Sequence, residues 1–165
     1  MTNILYQHGT LGTLMAGLLK GTASINEILK HGDLGIATLT GSNGEVIFVD
    51  GKAYHANEHK DFIELKGDEL TPYATVTKFK ADTTYQTKDK SSEDVFDEVK
   101  ENMLSENLFS AVKISGVFKK MHVRMMPGQE PPYTRLIDSA RRQPEQTETY
   151  VKGTVVGFFT PELFH

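Results

Sequence analysis

The chain has no cysteine, no tryptophan and no long apolar run. Without cysteine, disulfides, thiolate metal sites and cysteine nucleophiles are excluded together. A membrane-spanning helix needs about 20 consecutive, mostly apolar residues, and no window supplies them. The first residues, MTNILYQHGT, carry neither the basic n-region nor the apolar h-region of a signal peptide. A basic excess is also missing: 18 Lys and Arg stand against 22 Asp and Glu, for a net charge of −4. That balance argues against a nucleic-acid or anionic-membrane partner. There is no P-loop, no G-x-G-x-x-G, no G-x-S-x-G elbow and no internal repeat. What these exclusions leave is a soluble, cytoplasmic globular protein, and the 38% hydrophobic and 24% charged content fit that class. A chain of 165 residues buries roughly 70% of its unfolded surface on folding, as one domain or two small lobes.

What is present is organised around Gly32–Asn57, GDLGIATLTGSNGEVIFVDGKAYHAN. It reads as three short strands joined by turns at Asn43-Gly44 and Asp50-Gly51, because both dipeptides tolerate the positive φ of a type I′ turn. Counting outward from two-residue turns sets Ser42 opposite Glu45, Thr40 opposite Ile47 and Thr38 opposite Val49. In the second hairpin Ile47 meets Tyr54 and Val46 meets His55. Alternation then puts Thr38, Thr40, Ser42, Glu45 and Tyr54 on one face, and Leu39, Val46, Phe48 and His55 on the other.

Elsewhere, Asn3–Gln7 reads as a short strand. Thr10–Lys20 has leucines at helical spacing and Gly21 as C-cap. Ser24-Ile25-Asn26-Glu27 has capping-box form and opens a helix to about His31, whose imidazole in the last turn suits the helix dipole. Tyr73–Phe79 alternates as a strand, and Ser92 caps an amphipathic helix over Glu93–Met103. Leu108–Met126 reads as strand, with Ser115-Gly116 either a turn between two strands or a bend within one. Thr134–Arg142 is expected as a short helix and Val151–Phe159 as a buried-type strand. This order predicts an α+β fold with a largely antiparallel or mixed sheet and a few packed helices.

Two residues stand out chemically. Glu45, taken from pattern alone, reads as an exposed acid beside a turn. Arg124, in the strand-like MHVRMM, shares a face with His122 and from pattern alone reads as an arginine on the solvent face of a strand. His55-Ala56-Asn57-Glu58-His59 has the two-histidine spacing of a helical zinc motif. Its glutamate is misplaced, however, and the segment follows a strand, so metal binding there is not expected.

The blocks LYQHGTLGTLMAGLLKG, HGDLGIATLTGSNGEVIFVDGKAY, FSAVKISGVFKKMHVRMMP, RLIDSARRQP and VKGTVVGFFTPEL, in this order, closely resemble bacterial acetolactate decarboxylases. The resemblance runs from near Leu5 to the end. It implies an acetolactate-decarboxylase-like fold and a carboxy-lyase that converts 2-acetolactate to acetoin and CO2. It further implies Glu45 as the catalytic general acid–base group, Arg124 as the arginine that holds the substrate carboxylate or the developing enediolate, and Thr38 as a substrate-binding neighbour. A homodimer is also what the family implies.

The family's zinc ion is held by three histidines, two of them in an H-x-H pair after the block ending FFTPEL. This chain has no H-x-H and six scattered histidines, and the family's C-terminal active-site glutamate is also missing. The expectation is therefore a single incomplete unit over 1–165. Its N-terminal lobe would be about 1–145 and the start of a C-terminal lobe about 146–165. It would carry Glu45 and Arg124 without zinc ligands and be inactive by itself. The competing expectation is a non-catalytic module that binds a small hydroxy or keto acid, or another chain, through the same pocket.

Overall fold

The structure is a computed structural model that describes residues 4–161. In chain order its first half comprises β1 (Leu5–His8), α1 (Leu11–Met15), β2 (Ala23–Ser24), α2 (Ile25–Leu29), β3 (Leu34–Leu39), β4 (Asn43–Val49), β5 (Lys52–Ala56) and β6 (Phe62–Glu64). The second half comprises β7 (Leu70–Thr71), β8 (Tyr73–Thr77), α3 (Ser92–Glu101), β9 (Ser110–Arg124), α4 (Leu136–Ala140) and β10 (Glu145–Phe159). Six strands form one sheet in the order β1-β8-β3-β4-β5-β6, while β9 with β10 and β2 with β7 form two-stranded sheets. Every pairing is antiparallel, so the α+β expectation with a largely antiparallel sheet holds. No helix among the described residues is long and apolar enough to cross a membrane.

The two faces of the six-stranded sheet differ. On one, Ala37, Val46, Phe48, Ala53, Ala74 and Val76 pack with Ile25 and Ile28 of α2 into a cluster from which water is excluded. At roughly 25 cal/mol per Å² of apolar surface removed from water, this cluster is the main source of the sheet's stability. α2 is aimed at it by its cap, since the Ser24 hydroxyl accepts from the Glu27 N–H at 3.2 Å. The other face carries Ile36, Thr38, Glu45 and Ile47, and it is the face that matters for function.

The second hairpin is as expected. Asp50 and Gly51 have φ of 52° and 77°, and Val46 pairs with His55 and Ile47 with Tyr54. The first hairpin is not. The chain turns over Thr40–Ser42 rather than at Asn43-Gly44, so Ile36 and not Thr40 lies opposite Ile47, with a bulge between Ala37 and Leu39. The displacement of four residues is even, and a strand's side chains alternate with period two, so Thr38 and Glu45 still share a face.

Several ends also moved. α1 stops at Met15, well short of Lys20, because Gly17 has φ +92° and lies against the Thr134 carbonyl, which a side chain there would meet at 2.8 Å. α3 is capped by Ser91, one residue earlier than Ser92. His31 lies beyond α2, with its ring stacked on Tyr6 at a centroid distance of 3.8 Å. Leu108–Met126 forms one long strand, β9, running straight through Ser115-Gly116. The last strand begins at Glu145 and is mostly exposed or half-buried, with Val156 its one buried residue. Among the described residues its ladder partner is β9, so it is not the buried-type strand that its composition suggests.

Candidate active site

A cavity of about 360 Å³ lies on the second face of the sheet. Ile36 and Thr38 of β3, Glu45 and Ile47 of β4, and Tyr73 of β8 line one side. Leu11 and Leu14 of α1, Leu136 of α4 and Met126 close the other. Thr38 is paired with Tyr73 across the β3–β8 ladder, which sets the two hydroxyl-bearing side chains next to each other. The lining is thus mostly aliphatic, with one ionisable carboxyl group, that of Glu45. Such a site suits a small molecule whose few polar atoms are held at fixed places.

Burial pushes the Glu45 carboxyl above its ordinary value, and the Met126 backbone N–H, donating to the carboxylate, offsets part of the rise. Desolvation disfavours the charged form, whereas a hydrogen bond to the carboxylate favours it. A carboxyl group whose pKa is raised holds its proton more readily than a solvated one, the direction that general acid–base work favours. The structure therefore removes the reading of Glu45 as an exposed turn residue.

The backbone around Glu45 is held from several sides. Gly44 N–H donates to the Met126 carbonyl at 2.9 Å, and the Thr38 hydroxyl donates to the Gly44 carbonyl at 2.7 Å. Thr38 is itself fixed, because its carbonyl accepts from the fully buried Thr71 hydroxyl at 2.7 Å. Beyond β9, Gln129 N–H donates to the Gly41 carbonyl at 2.9 Å. The segment Met126–Gln129 thus runs along the Gly41–Gly44 turn and roofs the first hairpin.

Arg124 is the last residue of β9, pairs with Glu145 and is exposed. It lies outside the cavity lining, two residues before Met126. His122 is exposed as well, with Nδ1 2.9 Å from the Thr147 hydroxyl and Nε2 3.5 Å from the Glu145 carboxylate. His55 is buried on the opposite side of the sheet, as its register suggests, and His59 is exposed. Among the described residues no three His, Asp or Glu side chains come together in a group that could hold a metal ion. The residues present do not fit the zinc site implied by the sequence resemblance.

Three features of the site were not anticipated from the sequence. Tyr73 was read as a strand residue only. Leu11, Leu14 and Leu136 were read as helix positions with no link to Glu45. Met126 acts through backbone N–H and C=O groups, which no side-chain pattern reveals.

A mostly antiparallel α+β body with a half-buried carboxyl group on a mostly aliphatic cavity is the kind of arrangement that suits a small molecule. Comparison with known proteins makes this specific. The family model for alpha-acetolactate decarboxylase matches residues 5–165, and the chain belongs to that family, a family of carboxy-lyases. An alpha-acetolactate decarboxylase of Lactococcus lactis subsp. lactis is 48% identical over all of this chain and 71% of its own length. A crystal structure of a Staphylococcus aureus protein of unknown function, described as similar to alpha-acetolactate decarboxylase, is 74% identical. It superposes with a TM-score of 0.97 over 99% of this chain and 70% of that one. The alpha-acetolactate decarboxylase of Bacillus subtilis strain 168 has a TM-score of 0.92 at 33% identity, over 96% of this chain and 68% of that one.

Proposed function

We propose that this chain supplies the proton-transfer half of an acetolactate decarboxylase, which converts 2-acetolactate to acetoin and CO2. The observation that carries the reading is the half-buried Glu45 carboxyl, raised above its ordinary value on a mostly aliphatic cavity in a member of this family. In 2-acetolactate the carbon bearing the carboxylate also bears a hydroxyl and lies next to a ketone. When the bond to the carboxylate breaks, its electron pair passes into the ketone, leaving CO2 and an enediolate. Protonation of the former carboxylate-bearing carbon then gives acetoin. Glu45 is the group that gives this proton, and the upward shift of its carboxyl favours the protonated form that this step needs.

Arg124 is the proposed fork for the substrate carboxylate or the enediolate oxygens. Strand alternation supports this, because Arg124 and Met126 are two residues apart and the ladder to β10 continues past Arg124, with Met125 N–H donating to the Pro144 carbonyl. Thr38 is the proposed substrate neighbour, its hydroxyl oxygen still able to accept a hydrogen bond while its proton is given to Gly44. Zinc, in this reading, takes its ligands from outside the described residues. A cytoplasmic homodimer belongs to the same proposal.

Acetoin formation and zinc content test it, measured on the 165-residue chain and on a version extended past His165 by the C-terminal portion of a relative. Zinc and turnover are expected in the extended protein only, with turnover lost in Glu45→Gln and in Arg124→Ala. Turnover by the short chain overturns the assignment of the metal, and an extended Glu45→Gln protein of full activity overturns the assignment of the proton donor.

A further inference from the structure

Three polar atoms of the two peptide groups that precede Glu45 are held by other parts of the fold. In the peptide between Asn43 and Gly44, the N–H donates to the Met126 carbonyl at 2.9 Å. The carbonyl of that peptide lies 2.8 Å from Nε2 of His55. In the peptide between Gly44 and Glu45, the carbonyl accepts from the Thr38 hydroxyl at 2.7 Å. A carbonyl can only accept, so Nε2 of His55 is the donor in this bond.

His55 is 5% exposed and projects from β5 on the core side of the sheet, away from the cavity. Gly44 has φ +66°, and a side chain there would meet Nε2 of His55 at 2.6 Å and the Ala56 carbonyl at 2.1 Å. The imidazole therefore packs directly under the glycine as well as bonding to the peptide before it. A glycine in this region is otherwise free to move among several backbone wells, and any such movement would swing the next residue, Glu45, out of the cavity wall.

We infer that His55 is a positioning residue for Glu45, acting from the core side of the sheet through the Asn43-Gly44 backbone. Thr38 acts with it from the cavity side. His55 touches neither the cavity nor a reacting atom, and its effect passes wholly through the placement of Glu45. The catalytic meaning of this placement rests on the function proposed above, but the placement itself is a property of the chain that can be measured without turnover.

The test is amide NMR on the 165-residue chain, comparing wild type with His55→Gln, His55→Asn and His55→Leu. Glutamine carries an N–H at about the reach of Nε2, asparagine carries one too short, and leucine has none. Two signals report the clamp: hydrogen exchange at the Gly44 amide, and the pH-dependent shift of the Met126 amide as Glu45 titrates. His55→Gln should keep both near wild type. His55→Asn and His55→Leu should speed Gly44 exchange at least tenfold and remove most of the Met126 response. Amides of the β4–β5 ladder should meanwhile stay protected, a split that general loosening of the fold would not produce. If leucine prevents folding, the asparagine and glutamine variants carry the same comparison. Unchanged Gly44 exchange and Met126 response in a folded asparagine or leucine variant overturns the inference, as does a glutamine variant that behaves like leucine. Because neither signal depends on acetoin formation, a failure of the proposed reaction and a failure of this inference are told apart.

Discussion

The hydroxyl of Thr38 on β3 donates to the carbonyl of Gly44 on β4 at 2.7 Å, so a buried side chain on one strand fixes the peptide that carries Glu45 on the next. Substituting Thr38 by valine keeps the shape and removes the donor. A buried carbonyl left unpaired costs about 1–3 kcal/mol, so Thr38→Val should lose about that much stability and unfold at a lower urea concentration. Thr38→Ser retains the hydroxyl and should lose less. Urea denaturation of both variants reads the difference, and equal losses would mean that the methyl group and not the hydrogen bond matters.

Glu45 gives stability an unusual pH dependence. Its folded-state pKa lies above the unfolded value of 4.5 because burial disfavours the charged form. The folded state therefore holds the proton more tightly than the unfolded state. Ionisation costs the fold stability progressively as pH rises from the unfolded to the folded pKa, and the penalty is constant above that. Glu45→Gln, which can still accept from the Met126 N–H, removes this penalty. The variant should be more stable than wild type at neutral pH and no more stable in acid below pH 4.5. Denaturation midpoints measured across this range check the sign. In the extended protein the same variant should lose acetoin formation, so the stability gained and the activity lost come from one carboxyl group.

Gly41 and Gly51 both have φ of +77°, yet their surroundings differ completely. At Gly51 a side chain would enter open space, so Gly51→Ala should cost only the left-handed backbone strain of about 1–2 kcal/mol. At Gly41 a side chain would meet the Gln129 carbonyl at 2.2 Å. Backbone cannot give way there without breaking the Gln129 N–H to Gly41 carbonyl bond. Gly41→Ala should therefore cost clearly more than Gly51→Ala and should speed proteolysis within the segment after Met126. Equal denaturation midpoints for the two variants would show that this segment is not seated on the turn.

How far the site was legible follows from where its determinants lie. The second hairpin could be read because Asp50 and Gly51 form a local turn whose chemistry is complete within four residues. Asn43-Gly44 carries the same signature, but Gly44 takes its positive φ within β4, held by Thr38, His55 and Met126, and the reversal occurs earlier, over Thr40–Ser42. Those three contacts span 6, 11 and 82 residues of sequence, beyond the reach of a turn rule. The pairing of Thr38 with Glu45 on one face survived only because the error in register was even. The aliphatic wall from α1 and α4 was invisible for the same reason as Met126: helical spacing shows that Leu14 packs against something, not against what, and ties neither Leu11 nor Leu136 to Glu45. Glu45 itself was found through the family resemblance, since pattern alone favoured a solvated acid.

The opposite face of the sheet offers the cleanest check on the architecture. Phe48 on β4 is 0% exposed and packs in the cluster formed with Ile25 and Ile28 of α2. Truncating a fully buried phenylalanine to alanine costs about 3–5 kcal/mol, from lost transfer energy and the cavity left behind. Phe48→Ala should lower stability by this amount and loosen α2, whose short helix has little propensity of its own to stay folded once its packing is removed. Because Phe48 and Glu45 lie three residues apart on opposite faces, the same variant separates the two roles of β4. Hydrogen exchange should rise in α2 and along the core amides, and at temperatures where the variant remains folded the Met126 amide should still respond to Glu45. Loss of that response in a folded Phe48→Ala protein would mean that Glu45 is held by the core cluster as a whole, and not by the local clamp on the Asn43-Gly44 backbone.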